Sequence, residues 1–254
     1  MENIKEPILE ICVDSVASAI AAQEGGADRI EFCGHLMIGG TTPSPAFYEE
    51  TIKVVKVPMN VMIRPRFGDF CYTEDEVNIM EKEIHLFRKL GANGVVFGVL
   101  NPDGRLNKPI MERLRKAAGD MECTLHRAID VSLDPLSTME DAISIGMNTI
   151  LTSGQKESCL EGVSLLKELH EKASGRIDIM AGAGLVPKKI PELYAETGIT
   201  SYHMSGAVSF DSKMIYRNEE VHMGIPGRSE YDGSVCSAEK VSLAKQYLNS
   251  ISNT

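Results

Sequence analysis

The sequence predicts a single-domain (β/α)₈ barrel, the TIM-barrel architecture of the α/β class. Eight short apolar runs rich in Ile, Val, Leu, Phe and Thr alternate with longer amphipathic segments along the 254 residues. The starts of successive runs are 21 to 33 residues apart, close to the roughly thirty residues that one βα unit needs. No linker interrupts the series, which favours one barrel over two domains or a doubly wound sheet.

Each apolar run is short enough to be one strand, and helix signals stand between the runs. The predicted strands lie near residues 8–13, 29–33, 61–66, 94–98, 122–127, 148–153, 177–181 and 200–204. Thr73, with Glu76 three residues later, is typical of a capping box, and Gly91 is expected to close that helix. Pro187 is typical of a first helical turn, and that helix is expected to end near Gly198.

Residues 206–254 are expected to form a C-terminal loop followed by a helix within the same domain. The loop, from about residue 206 to residue 235, is polar, contains glycine and is too long for a routine connection between a strand and a helix. We therefore expect it to serve as a lid or as a contact in a homo-oligomer.

The composition excludes several function classes. Hydrophobic residues make up 43% and charged residues 24%, and the formal net charge is 26 − 36 = −10, which argues against binding to nucleic acid or to anionic membranes. No segment is typical of a signal peptide or a bilayer-spanning helix, so we expect a cytoplasmic protein. The six cysteines lie far apart without a C-x-x-C pair, which indicates free thiols rather than disulfides or a structural zinc site.

Polar, ionisable and thiol side chains share one parity near the ends of several predicted strands. They are Glu10, Cys12, Glu31, Cys33, Arg64, Arg66, His126 and His203. Because residues two apart on a strand share a face, the set is predicted to point into the barrel at its C-terminal mouth, where TIM barrels build their sites. The alternative is an internal lattice in which Glu10 and Glu31 neutralise Arg64 and Arg66.

Two histidines are candidates for proton transfer. His126 and His203 end predicted strands, and an imidazole titrates near neutrality. Glu10, Glu31 and Asp130 are the carboxylates that could move a proton or orient an imidazole beside them. The alternative for each histidine is a buried ring whose hydrogen bonds are satisfied by a neighbouring carboxylate.

An anion site is also predicted at the mouth. Arginine binds carboxylate or phosphate through two parallel hydrogen bonds, and the loops after strands 7 and 8 of many TIM barrels bind phosphate. The candidate anion-binding residues are Arg64, Arg66, Gly182, Gly184, Ser205 and Gly206.

Several motifs resemble the CutC family, whose name refers to copper homeostasis. They are LEICVDS, GGADRIEFC, GGTTPS, VMIRPRFGDF, GVVFG, LHRAID, ILTSG and the H-x-S at His203, in this order from about Leu9 to Ser205. The resemblance implies a TIM barrel and Cu(I) ligands at Cys12 and Cys33. Both cysteines stand in an E-x-C pattern on neighbouring strands, and Cu(I) prefers thiolate ligands. The alternative for these thiols is burial as small hydrophobic side chains.

The function predicted from this resemblance is CutC-type copper homeostasis, with Cu(I) bound in the barrel mouth. The alternative is a metal-independent enzyme acting on a small anionic or phosphorylated metabolite. In the enzyme, Arg64 and Arg66 would hold the anion, and His126 with Glu10 or Glu31 would move protons. A third hypothesis is a binding or chaperone role without turnover.

Overall fold

Eight parallel strands hydrogen-bond in chain order, and the eighth closes the ring by pairing with the first. The structure, a computed structural model, describes residues 7–251. The strands are β1 (Ile8–Val13), β2 (Arg29–Phe32), β3 (Met59–Met62), β4 (Gly94–Phe97), β5 (Glu122–Leu125), β6 (Thr149–Thr152), β7 (Asp178–Ala181) and β8 (Ser201–Met204). The predicted TIM barrel is thereby confirmed.

Helices surround the barrel. They are α1 (Val16–Glu24), α2 (Pro45–Val54), α3 (Glu74–Lys89), α4 (Lys108–Ala118), α5 (Pro135–Ile145), α6 (Val163–Ala173), α7 (Ile190–Thr197) and α8 (Ala238–Ile251). Thr73 and Glu76 form both bonds of the predicted capping box on α3. Pro187 begins a short 3₁₀ turn before α7. Gly198 follows the end of that helix with a φ of 75°, a left-handed conformation that glycine adopts without strain. None of the helices in residues 7–251 is long and apolar enough to cross a membrane.

Alternation along the strands separates a helix-facing layer from the barrel interior. Ile11, Ile30, Ile63 and Leu125 are fully buried in the main hydrophobic core. Each such side chain contributes about 1.5–3 kcal/mol when removed from water. The residues that alternate with them in the sequence therefore point into the barrel, as the parity predicts.

Strand β3 ends earlier than its predicted segment, 61–66. It runs from Met59 to Met62, so Arg64 and Arg66 follow the strand instead of lying on it. The alternation of side chains continues to Arg64, whose backbone N–H donates a hydrogen bond to Thr42 Oγ1 at 2.9 Å. It does not govern Arg66, which belongs to the connection between β3 and α3.

The segment after β8 contains a hairpin where the sequence predicts a loop. Strands β9 (Ala207–Asp211) and β10 (Asp232–Cys236) pair in antiparallel register. The base of the hairpin is attached to the barrel because the N–H of Cys236 donates to Ser18 Oγ at 3.1 Å. Helix α8 then packs against α1 and α7 through its buried side chains, Val241, Ala244, Leu248 and Ile251.

Candidate functional site

A cavity of about 630 Å³ opens at the C-terminal mouth of the barrel. Of the predicted site residues, those that line it are Cys12, Glu31, Arg64, His126, Gly184, His203, Ser205 and Gly206. Among the described residues, the predicted members that do not line it are Glu10, Cys33, Arg66, Asp130 and Gly182. The mouth therefore contains most of the predicted site, but the proposed cysteine pair and arginine pair are each divided.

Three side chains on adjoining strands bring potential metal ligands together. Sγ of Cys12, a carboxylate oxygen of Glu31 and a ring nitrogen of His203 all lie within 4.8 Å of one another. The register explains this proximity, because β1 pairs with both β2 and β8, and Cys12 lies opposite Glu31. Thiol, carboxylate and imidazole groups converge here on the cavity wall.

The imidazole of His203 is oriented from below by Glu10. Nδ1 of His203 lies 2.8 Å from Oε1 of Glu10, and Nε2 lies 3.8 Å from Oε2 of Glu31. Burial lowers the pKa of His203, but the charges of Cys12 and Glu31 and the bond to Glu10 outweigh it and raise that pKa well above its usual value. An ionised carboxylate can only accept hydrogen bonds, so Nδ1 of His203 donates to Glu10. Nε2 is then the ring nitrogen on the side of Glu31.

Glu10 is paired with Arg29, which the sequence analysis missed. Nε of Arg29 donates to Oε2 of Glu10 at 2.5 Å, and both side chains are buried. Burial raises the pKa of Glu10, but Arg29 and the bond to His203 lower it more, to about 2. The predicted lattice of Glu10 with Arg64 and Arg66 is wrong, because Arg29 is on the neighbouring strand directly opposite Glu10.

Glu31 stands between the cavity and Cys33. The Cys33 thiol donates to Oε2 of Glu31 at 3.4 Å, and its side chain packs in a small buried cluster with Met62 and Val96. Burial, together with the charge of Glu10, raises the pKa of Glu31. Burial first, and then Glu31, raises the pKa of Cys33 well above its usual value. Cys33 therefore contacts Glu31 but does not line the cavity.

Arg64 joins two loops and still faces the cavity. Nη1 donates to the carbonyl of Gly40 at 2.9 Å and Nη2 to that of Gly68 at 2.8 Å. Its Nε is buried and has no hydrogen-bond partner in residues 7–251. Arg66 is used differently, because its guanidinium pairs with Glu76 at 2.6 Å and with Asp69 at 3.0 Å within its own loop.

His126 is a buried, neutral imidazole on the same wall. Its Nδ1 accepts a hydrogen bond from the N–H of Ala128 at 3.2 Å, and its ring lies 4.6 Å from that of Phe70. Nε2 is buried without a hydrogen-bond partner among the described residues. Burial, followed by the positive charge of Arg64, lowers the pKa of His126 to about 3. This makes His126 a hydrogen-bond donor at neutral pH and a poor base.

Asp130 holds loops together at the edge of the site. It accepts hydrogen bonds from Thr152, Ser153 and the N–H of Gln155, and it pairs with Arg127 at 2.8 Å. Arg127 does line the cavity, although sequence reasoning did not select it. Its position beside His126 in the LHRAID motif is the signal that could have indicated it.

The loops after β7 and β8 form an apolar side of the cavity. Leu185, Val186 and Pro187 line it beside Gly184. Nζ of Lys240, in α8, donates a hydrogen bond to the carbonyl of Ala207 at 2.7 Å. Gly182 leaves little room for a larger residue, because a Cβ there would lie 2.6 Å from Cδ1 of Leu151 and 3.1 Å from Cβ of His203. The predicted phosphate loops thus present few polar side chains.

The chain matches the model of the CutC family over residues 7–208. It is 43% identical over 255 residues to a CutC family protein of Bacteroides fragilis, covering 99% of this chain and all of that one. It is also 42% identical over 235 residues to the mouse protein named copper homeostasis protein cutC homolog, covering 92% of this chain and 86% of the mouse chain.

Solved structures agree with this relationship. The crystal structure of a CutC protein from Streptococcus agalactiae superposes with a TM-score of 0.74 at 29% identity, covering 78% of this chain and 98% of that one. Rubisco from Pyrococcus horikoshii superposes with a TM-score of 0.66 at 14% identity, covering all of this chain and 61% of that one, which shows the shared fold alone. The motifs, the family model and near full-length similarity to named members agree: this chain belongs to the CutC family.

Proposed function

We propose that this protein acts in copper homeostasis by binding Cu(I) at Cys12 and His203, with Glu31 beside them. The observation that carries the proposal is the convergence of their ligand atoms within 4.8 Å on the wall of the mouth cavity. Relatives that bear the name copper homeostasis protein cover most of this chain. We extend to this chain the function that the name of these relatives states.

The donor set suits a soft or borderline ion. A thiolate from Cys12 is the preferred ligand of Cu(I), and the imidazole of His203 also suits copper. Glu10 supplies the carboxylate that such a histidine commonly has on its other nitrogen, fixing the tautomer and the ring orientation. The Cys33 thiol reaches Glu31 but lies behind it, so we assign it a subsidiary role.

The test is the Cu(I) affinity of the reduced protein, measured by competition with a chromogenic chelator. Cys12→Ser should weaken binding by at least tenfold, because a hydroxyl is a hard ligand, and Cys33→Ser should weaken it less. Cys71→Ser is the matched control, since Cys71 is also half-buried but lies in the loop after β3. Equal Cu(I) affinity in Cys12→Ser and the parent would refute the site.

A second candidate function is that of a metal-independent enzyme for a small anionic metabolite. The observation that favours it is the cavity itself, whose volume of about 630 Å³ falls within the range typical of small-molecule sites. Here the pair of Glu10 and His203 would move protons, since His126 is held neutral. Small molecules retained by the native protein, identified by mass spectrometry, would support the enzyme, and copper alone would support the metal carrier.

The remaining sequence expectations stay predictions. They are the cytoplasmic location, the homo-oligomer and the lack of a nucleic-acid partner. The hypothesis of a binding or chaperone role without turnover also stays a prediction.

A further inference from the structure

We propose that the mouth cavity binds a small organic carboxylate with an apolar body, whose two oxygens are held by Arg64 and His126. This goes beyond copper binding, because it concerns a different wall of the cavity. It also names the ligand class of the second candidate function, and to that extent rests on it.

Two residues of the cavity wall each have a buried nitrogen without a partner. Arg64 is 7% exposed and His126 is 3% exposed. Nε of Arg64 and Nε2 of His126 lack hydrogen-bond partners within the described part of the chain, and both residues line the cavity. Leaving a buried donor unsatisfied costs roughly 1–3 kcal/mol, so two of them on residues that line one cavity favour a ligand that brings an acceptor to each.

Both nitrogens carry a hydrogen. Nε of arginine is always protonated. Nδ1 of His126 accepts from the N–H of Ala128, which places the proton of the neutral ring on Nε2. Burial and the charge of Arg64 lower the pKa of His126 to about 3, so this tautomer persists at physiological pH. The wall therefore offers one N–H from a cation and one from a neutral ring.

The number of available positive charges favours a carboxylate over a phosphate. Nη1 of Arg64 donates to carbonyl oxygens of one neighbouring loop, and Nη2 gives one of its two N–H groups to the carbonyl of Gly68. Nε is the nitrogen of this guanidinium that has no partner in the described residues. The other cations of the cavity are also engaged, Arg127 by Asp130 and Lys240 by the carbonyl of Ala207. One cation beside a neutral imidazole matches the single negative charge of a carboxylate, whereas a phosphate dianion calls for more positive charge.

The surface beside the donors is apolar. The Phe70 ring lies 5.2 Å from Cζ of Arg64 and 4.6 Å from the His126 ring, so one aromatic side chain positions both donors. Leu36, Met62 and Leu151 line the same cavity. A ligand that places its carboxylate on Arg64 and His126 would pack an aliphatic or aromatic body against these side chains.

The test uses hexanoate as the probe, with metal-free protein and isothermal titration calorimetry. Hexanamide keeps the apolar body and removes the charge, and hexyl phosphate replaces the carboxylate by a dianion. We expect hexanoate to bind at least tenfold more tightly than either of them. Equal binding of hexanamide would show an apolar cavity only, and tighter binding of hexyl phosphate would show a phosphate site; either result overturns the proposal.

A matched pair of variants tests His126 directly. His126→Asn places an amide oxygen where Nδ1 accepts from Ala128 but removes the donor at Nε2, whereas His126→Gln places an amide N–H near Nε2. His126→Asn should lose at least tenfold in hexanoate affinity, and His126→Gln should retain more of it. Unchanged binding in His126→Asn, or equal loss in both variants, would overturn the role of Nε2. Cu(I) affinity should be unchanged in both, so failure of this proposal is separable from failure of the copper site.

Discussion

Nδ1 of His203 donates to Oε1 of Glu10 at 2.8 Å, joining residues that are 193 positions apart in the chain. The two residues lie opposite each other where β8 pairs with β1. The hydrogen bond therefore forms at the seam that closes the barrel. Arg29 binds the other oxygen of Glu10, so a continuous chain of buried polar groups leads from the barrel interior to the ring that faces the mouth.

Replacing Glu10 should destabilise the fold strongly. Glu10→Gln leaves the buried Arg29 without its main counter-charge, and removing one partner of a buried pair costs about 3–5 kcal/mol. The free energy of unfolding in urea measures this loss. Glu50→Gln is the control, because Glu50 pairs with Lys53 on the exposed surface, where such pairs contribute about 1 kcal/mol or less. A loss below 1 kcal/mol in Glu10→Gln would contradict the prediction.

The same carboxylate should make stability depend on pH in the acid range. The pKa of Glu10 is lowered from 4.5 to about 2 in the folded protein, so its contribution is present above pH 4.5 and is lost as the pH falls from 4.5 towards 2. At about 1.4 kcal/mol per pKa unit, the loss is on the order of 3 kcal/mol.

Glu31 contributes in the opposite direction, since its raised pKa favours the folded state at low pH. The measurement is therefore a difference between two proteins. The stability gap between the parent and Glu10→Gln should shrink between pH 5 and pH 2. A gap that stays constant over this interval would show that Glu10 titrates normally.

Alternation made most of the site predictable. Glu10, Glu31, His126 and His203 lie on the interior side that their parity indicates, because a register shift of one residue would place the apolar residues of a strand in the wrong layer. The order and number of strands followed from the same pattern. Local sequence was sufficient where a strand's own periodicity decides the outcome.

The parts that were not predicted depend on contacts distant in sequence. Arg29 shares the parity of Glu31, but only the register between β1 and β2 reveals that it faces Glu10. Arg66 follows the end of β3, so its direction is set by Glu76 and its own loop instead of by alternation. The hairpin of β9 and β10 is defined by pairing across about twenty intervening residues, which no local pattern encodes.

Gly98 should be required for the position of His126. A Cβ at this residue would lie 2.8 Å from Cε1 of His126 and 2.8 Å from Cδ1 of Leu125, so Gly98→Ala must displace the ring or the strand. Overpacking of this kind costs about 1–3 kcal/mol. Gly224→Ala is the control, since its Cβ would meet only the distant carboxylate of Glu230 at 3.7 Å. Equal melting temperatures of Gly98→Ala and Gly224→Ala would contradict the packing argument.

The long hairpin after β8 should mediate self-association. The segment between its strands exposes large apolar side chains, with Ile215 100% exposed and Met223 80% exposed, and exposed apolar surface marks interaction sites where it is extensive. If the protein forms the homo-oligomer that we expect, the double variant Ile215→Ser, Met223→Ser should shift it towards the monomer in sedimentation velocity at micromolar concentration. Val131→Ser is the control, because Val131 is 63% exposed but belongs to the turn after β5. A parent that sediments as a monomer over the whole concentration range, or a double variant with unchanged mass, would exclude the hairpin as the contact.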